Sequence, residues 1–178
     1  MSLKEITKDL HADAERTAFA KKLVTGTFTK DEYANYLWQM VLIYNAIENI
    51  AESQGQLLNL PDIKRTSKIY DDCVELVGVD HNIKWLPETI DYYKYLLDLY
   101  NDRERRHLVK AHMYCRHMGD LFGGQIIAKK VPGQGRFYQF ENPDLLKQRI
   151  REELTDDLGD EARVAFEWAI KIMKALNG

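Results

Sequence analysis

Cysteine, proline and long apolar runs are all scarce in this chain, and each scarcity removes a class of protein. Only two of the 178 residues, Cys73 and Cys115, are cysteines. With no CxxC spacing and no partner histidine in a motif, they form neither a disulfide framework nor a zinc site, and both are expected to be buried thiols of an intracellular protein. No stretch approaches the roughly 20 apolar residues that cross a bilayer, and the opening Met1-Ser2-Leu3-Lys4-Glu5 lacks the apolar core of a signal peptide. A soluble, cytoplasmic chain without a membrane partner is therefore expected. A formal net charge of -3 argues against nucleic acid as a general partner. Alternating Val/Ile/Thr segments are missing, as are repeats, linkers and low-complexity tracts, which leaves no signal for a β-sheet or a second domain. The GxSxG, Walker A, GxGxxG and HExxH patterns are missing too.

What is present is helical. Ser2 with Glu5, and Thr29 with Glu32, are capping-box pairs, each followed by apolar positions at helical spacing. They predict one helix from near Leu3 to Gly26 and a second from near Lys30 to Gly55, the latter with a stripe at Tyr33, Leu37, Met40, Val41, Tyr44 and Ile47. Pro61 and Pro87 stand where a first-turn proline is tolerated, opening predicted helices over 63–76 and 89–99. A further helix begins near Asp102 and runs to the break at Pro132-Gly133-Gln134-Gly135. Asn142-Pro143-Asp144 caps another that ends near Gly159, and the last spans 160–176 with a stripe at Val164, Trp168, Ile172 and Met173. The fold class is all-α: one domain over residues 1–178, with seven or eight helices around a single core.

Chemistry must come from histidines, basic residues and an unusual glycine cluster. Of the five histidines, His81 beside a turn reads as an ordinary solvated side chain. Glu104 and His107 have the Glu-x-x-His spacing of di-iron bundles, but such a centre needs two of these pairs and the chain has one. Lys4, Lys8, His11 and Glu15 share one helix face, which is either a charged surface or an iron-ligating imidazole oriented by a carboxylate and flanked by lysines for an anionic ligand. Gly119, Gly123 and Gly124 lie within a helical stretch, where each interior glycine costs roughly 0.5–1 kcal/mol relative to alanine. Gly119 and Gly123 are four apart and line one face with Gly124 beside them, as a shelf for another helix or for a flat ligand. Arg116 and Asp120 form an i, i+4 pair at that shelf, and a buried Asp120 is suited to organising water.

At these residues the sequence resembles the heme oxygenase family. Gly119-Asp120-Leu121-Phe122-Gly123-Gly124-Gln125 is similar to the family's distal-helix signature, and Lys4-Glu5-Ile6-Thr7-Lys8 through His11 to Ala14-Glu15 is similar to its proximal-helix signature. Tyr114 and Arg116, Tyr44 with Glu48, and the Lys147 to Arg151 segment extend the resemblance across nearly the whole chain. It implies a bundle with heme between a proximal and a distal helix, heme being both cofactor and substrate. It implies that His11 is the proximal ligand to heme iron, oriented by Glu15, and that Lys4, Lys8, Tyr114, Lys147 and Arg151 face the propionates. Gly119, Gly123 and Gly124 would let the distal backbone approach heme, so that O2 is steered sterically, while Asp120, Tyr44 and Arg116 hold distal water.

The implied reaction consumes O2 and external electrons and opens the macrocycle at the alpha-meso carbon, giving biliverdin IXα, carbon monoxide and ferrous iron. Electrons would come from a ferredoxin or a reductase, docking on Arg103, Arg105, Arg106, Lys129 and Lys130 if the donor is acidic. A monomer is expected, with a bilin reductase as a downstream partner. Two positions depart from the family pattern: Phe122 stands where Ser is frequent and His117 where Tyr is frequent. Phe122 either narrows the pocket or packs behind the helix, and His117 is expected to point away from the shelf. The chain stops at Gly178 without the hydrophobic tail of membrane-anchored members, which also fits a soluble form.

Overall fold

The first predicted helix is broken twice by threonine. In the computed structural model, which describes residues 1–177, the Ser2 and Glu5 capping box opens α1 (Leu3–Ile6). The Thr7 hydroxyl then donates to the Leu3 carbonyl at 2.8 Å, and that back-bond ends the turn. The chain restarts as α2 (Lys8–Glu15), which buries no residue. Thr17, extended at ψ 146°, caps α3 (Ala18–Thr25), which Gly26 closes in the left-handed conformation at φ 71°.

The Thr29 capping box starts α4 (Lys30–Ser53), whose buried side includes Tyr33, Leu37, Met40, Tyr44 and Ile47 as the periodicity predicts. The following helix, α5 (Thr66–Val77), begins later than Pro61 predicts. Its amino end is capped from α4: Glu48 accepts from the Arg65 amide at 2.6 Å and from the Thr66 amide and hydroxyl at 3.0 and 2.6 Å. Residues before it form a turn in which Asp62 takes a positive φ of 62°. Pro87 is indeed a first-turn residue, in α6 (Pro87–Asn101).

The helix predicted from Asp102 instead begins with a single 3-10 turn at Arg106–Leu108 and continues as α7 (Val109–Leu121). Phe122, at φ -108° and ψ -85°, interrupts it. A short α8 (Gly124–Ile127) follows, so the glycine cluster straddles a break and does not lie in one continuous helix. After a 3-10 turn at Arg136–Tyr138 come α9 (Pro143–Glu153), another such turn at Asp156–Leu158, and α10 (Gly159–Asn177). Gly159 thus opens the last helix and does not close the one before it. Among the described residues, ten α-helical segments stand where seven or eight are expected, because the first predicted helix is three and the glycine-bearing one is two. No strand occurs among the described residues, and no helix there is long and apolar enough to cross a membrane.

α10 is the spine of the bundle. It touches α1, α2, α3, α4, α6 and α7, and its buried positions include Ala162, Ala165, Phe166, Ala169 and Ile172. Its predicted stripe is therefore rotated: Val164, Trp168 and Met173 are only partly buried, while the alanines let neighbouring helices approach closely. α2 and α7 each lean on this spine.

Candidate functional site

The wall contributed by α7 is polar beneath and bare above. Arg116, His117 and Asp120 are buried, while Gly119 and Gly123 are exposed. A Cβ placed on Gly119 would meet nothing within 4 Å, and one on Gly123 only the Gly119 carbonyl oxygen at 3.8 Å. Helix packing does not explain these two glycines, since no helix packs against them. Gly124 differs: its Cβ would meet the buried Tyr138 ring at 2.8 Å. It is a packing glycine and leaves the shelf to the other two, against the expectation that all three line it.

Tyr44 reaches across from α4 and donates to Asp120 Oδ2 at 2.6 Å. Burial pushes the Asp120 carboxyl up to about 7, against the opposing influence of His117, the Tyr44 hydrogen bond, Arg65 and Arg116. Burial also raises Tyr44 well above the ordinary phenol value, so Tyr44 remains the donor. The expected Arg116–Asp120 pair does not form. The guanidinium turns toward Met40, with Nη1 to Sδ 3.7 Å, and lies 5.5 Å from the centre of the Tyr92 ring. Its Nε and Nη2 are buried without a protein acceptor, and buried donors of that kind need ordered water or a ligand group. Gln125 secures the helix break, donating to the Asp120 carbonyl at 3.0 Å and to the Tyr138 carbonyl at 2.9 Å.

His117 points away from the shelf, as expected, and its Nε2 meets Glu48 Oε2 at 2.8 Å. Burial would raise the Glu48 carboxyl, but His117, the Thr66 hydroxyl and the Arg65 amide together hold it below its ordinary value. Glu48 therefore serves His117 and the start of α5, and Tyr44, one turn earlier on α4, serves Asp120. A second buried histidine, His112, is one that sequence reasoning left without a role. Its Nδ1 and Tyr92 Oη are 2.5 Å apart, and its Nε2 and Glu161 Oε1 2.9 Å apart. Burial lowers its pKa despite Glu161, and it ties α6, α7 and α10 together.

The remaining residues named from the sequence lie on α1, α2 and α9. His11 is exposed, with its Nδ1 3.6 Å from Glu15 Oε1 and its ring edge-on to Phe166 of α10, centroids 5.7 Å apart. Lys4 and Lys8 are exposed beside it. Leu3 packs with Ala111, Leu158 and Ala162, and Tyr114 lies against that cluster, which brings the start of α1 to the Tyr114 side of α7. On α9, Lys147 and Arg151 both lie over the Phe122 ring, at 4.4 and 5.2 Å from its centre. Phe122 thus neither packs behind the helix nor fills the interior; it is 45% exposed.

Other expectations meet different surroundings. Cys73 is buried and Cys115 half-buried, and burial pushes both thiols up to about 11. Arg105 is engaged with Tyr95 and Glu161 and is no free surface cation. An open depression lined by Glu88, Asp91, Trp168, Lys171, Lys174 and Ala175 contains none of the residues gathered at the shelf.

A sequence model of the family described as heme oxygenase matches residues 1–175. The heme oxygenase of Rhodella violacea is 26% identical over 99% of this chain and 86% of its own length. The solved heme oxygenase of Leptospira interrogans, 25% identical, superposes with a TM-score of 0.84 over 98% of this chain and all of that one, 100%. Heme oxygenase-1 of Synechocystis in complex with heme, 23% identical, gives 0.84 over 99% of this chain and 90% of its own.

Proposed function

The chain belongs to the heme oxygenase family, and from that premise we propose that it binds heme in the slot between α2 and α7 and cleaves it oxidatively to biliverdin. The observation that carries this reading is the open backbone at Gly119, adjoining a buried Asp120–Tyr44 pair and a guanidinium with two unpartnered donors. A flat macrocycle fits over a surface without side chains, and a cation-rich rim suits its carboxylates. Bound heme, at once substrate and prosthetic group, supplies the oxygen-activating chemistry.

The protein's part is to hold, orient and deliver protons. Glu15 faces His11 Nδ1, so Nε2 would be the ring nitrogen that holds the iron. Lys4, Lys8, Tyr114, Lys147 and Arg151 take the propionates. Asp120 uses Oδ2 for Tyr44, so Oδ1 is free to hold water that Arg116 Nε and Nη2 also address. A carboxyl titrating at about 7 both accepts and returns a proton near neutrality. The bare backbone of Gly119 and Gly123 would let the distal wall lie close to the macrocycle, a steric limit that would favour opening at the alpha-meso carbon.

The remaining parts of the reading concern surroundings. The protein acts as a cytoplasmic monomer, without membrane or nucleic-acid partners. Having no flavin, nicotinamide or iron-sulfur motif, it draws electrons from an external ferredoxin or reductase, and it hands its bilin to a downstream reductase. The docking surface is reduced to Arg103, Arg106, Lys129 and Lys130, since Arg105 is occupied.

Hemin titration tests the reading. A Soret shift is expected with wild type and not with His11→Ala, and adding O2 with an electron donor should replace that band by biliverdin absorption. No shift in wild type would remove heme from the site, and a bound heme that is only reduced would make the protein a carrier.

A further inference from the structure

Phe122 is out of place by the rules that govern the rest of α7. It is a large apolar ring, 45% exposed, at the point where the helix breaks. Its neighbours Gly119 and Gly123 leave the adjoining backbone bare. Two cations lie over its ring: Lys147 Nζ at 4.4 Å and the Arg151 guanidinium at 5.2 Å from its centre. These two side chains have little else to fix them. Lys147 has one distant partner, Asp144 at 3.8 Å, which is itself 95% exposed, and Arg151 has no carboxylate within 4.0 Å among the described residues.

Long cationic side chains carry more rotamer freedom than most, and a ligand that orders them must overcome that entropy. An aromatic face restrains a cation without neutralising it, because the attraction is to the ring quadrupole and leaves every N–H free to donate. Two cations gathered on one ring at the edge of the shelf are therefore ready to receive two carboxylates side by side.

We propose that Phe122 is a specificity-determining positioning residue: its ring holds Lys147 and Arg151 together at the edge of the glycine shelf, and so fixes one in-plane orientation of a dicarboxylate macrocycle. This rests on the heme-binding reading above. The rotational seat of the ring decides which meso carbon faces the Asp120 side, so Phe122 acts on regiochemistry through the cations and without touching the reacting atoms.

The test uses the full-length protein and hemin, comparing wild type with Phe122→Ser, Phe122→Leu and Phe122→Tyr. The site is exposed, so folding is expected to be unaffected, and circular dichroism melting checks it. Ser and Leu should weaken hemin binding by about threefold to tenfold. They should also split the heme-methyl proton resonances of the ferric complex into more than one in-plane orientation, and yield a mixture of biliverdin isomers. Tyr, which keeps the aromatic face, should restore all three readouts. Leu behaving as wild type would overturn the proposal, because bulk alone would then suffice. A second arm places Phe122→Ser on a Lys147→Ala/Arg151→Ala background: no additional effect is expected, and an undiminished one would show that the ring acts on the macrocycle directly. Failure of wild type to bind hemin would strike the heme reading itself, before any variant is compared.

Discussion

Buried Asp120 makes the fold less stable near and above neutrality. Burial moves its carboxyl from the ordinary 3.8 to about 7, so the folded state holds a proton that the unfolded chain releases. Its stabilising contribution is complete below the unfolded value and is lost as pH rises through the folded one. The cost above neutrality is on the order of 2–4 kcal/mol. Asp120→Asn, which cannot ionise, should therefore be more stable than wild type at about pH 8, with the margin shrinking toward about pH 4.5. Denaturant unfolding at both values measures it, and an equal margin at both would remove burial as the cause. The same variant should keep hemin and lose productive ring opening; full turnover would sink the proton-carrying role. Such a trade of stability for activity is the usual sign of a functional group in an interior that does not suit it.

At the scale of the element, the glycine break separates two jobs that look alike in the sequence. Gly119→Ala places a methyl in open space, so it should raise stability by roughly 0.5–1 kcal/mol through helix propensity while weakening hemin binding. Gly124→Ala drives a methyl against the Tyr138 ring, 2.8 Å away, and should lower stability by about 1–3 kcal/mol. Thermal melts of the two variants should move in opposite directions; shifts of the same sign would contradict the division. Local signals were readable from the chain: the capping boxes at Ser2 and Thr29, Pro87 at a first turn and the stripe of α4 all emerge where expected. Signals carried between elements were not. Glu48 of α4 sets where α5 begins, Tyr138 decides what Gly124 is for, and Lys147 and Arg151 explain Phe122. In each case the partner lies far along the chain, where periodicity has no reach. The residues of the candidate site were nameable from the chain, but their pairing was not: Asp120 is bonded to Tyr44, not to Arg116.

At the scale of the molecule, a chain with a net charge of -3 must still meet an electron donor. Lys129 and Lys130 are exposed just beyond α8, close in sequence to the shelf. If an acidic ferredoxin docks there, kcat/KM for the donor should fall about tenfold or more as salt is raised from low to physiological strength and beyond. Flat salt dependence would place the encounter elsewhere.

The two helices proposed to flank heme also differ in how they are anchored. α7 is rooted in the core through Arg116, His117, Asp120 and Leu121, whereas α2 buries nothing. Besides the His11–Phe166 ring contact, a fork ties α1 and α2 to α10: Arg163 gives one nitrogen to the Ile6 carbonyl and Asp9 at 2.7 Å each, and the other to Asp9 at 2.9 Å. Segments with few buried contacts open at lower free energy than those in the core. α2 is accordingly expected to open at lower free energy than α7, so amide hydrogen exchange should run faster along Lys8–Glu15 than along Val109–Leu121, and the reverse order would make α7 the movable wall of the proposed heme site.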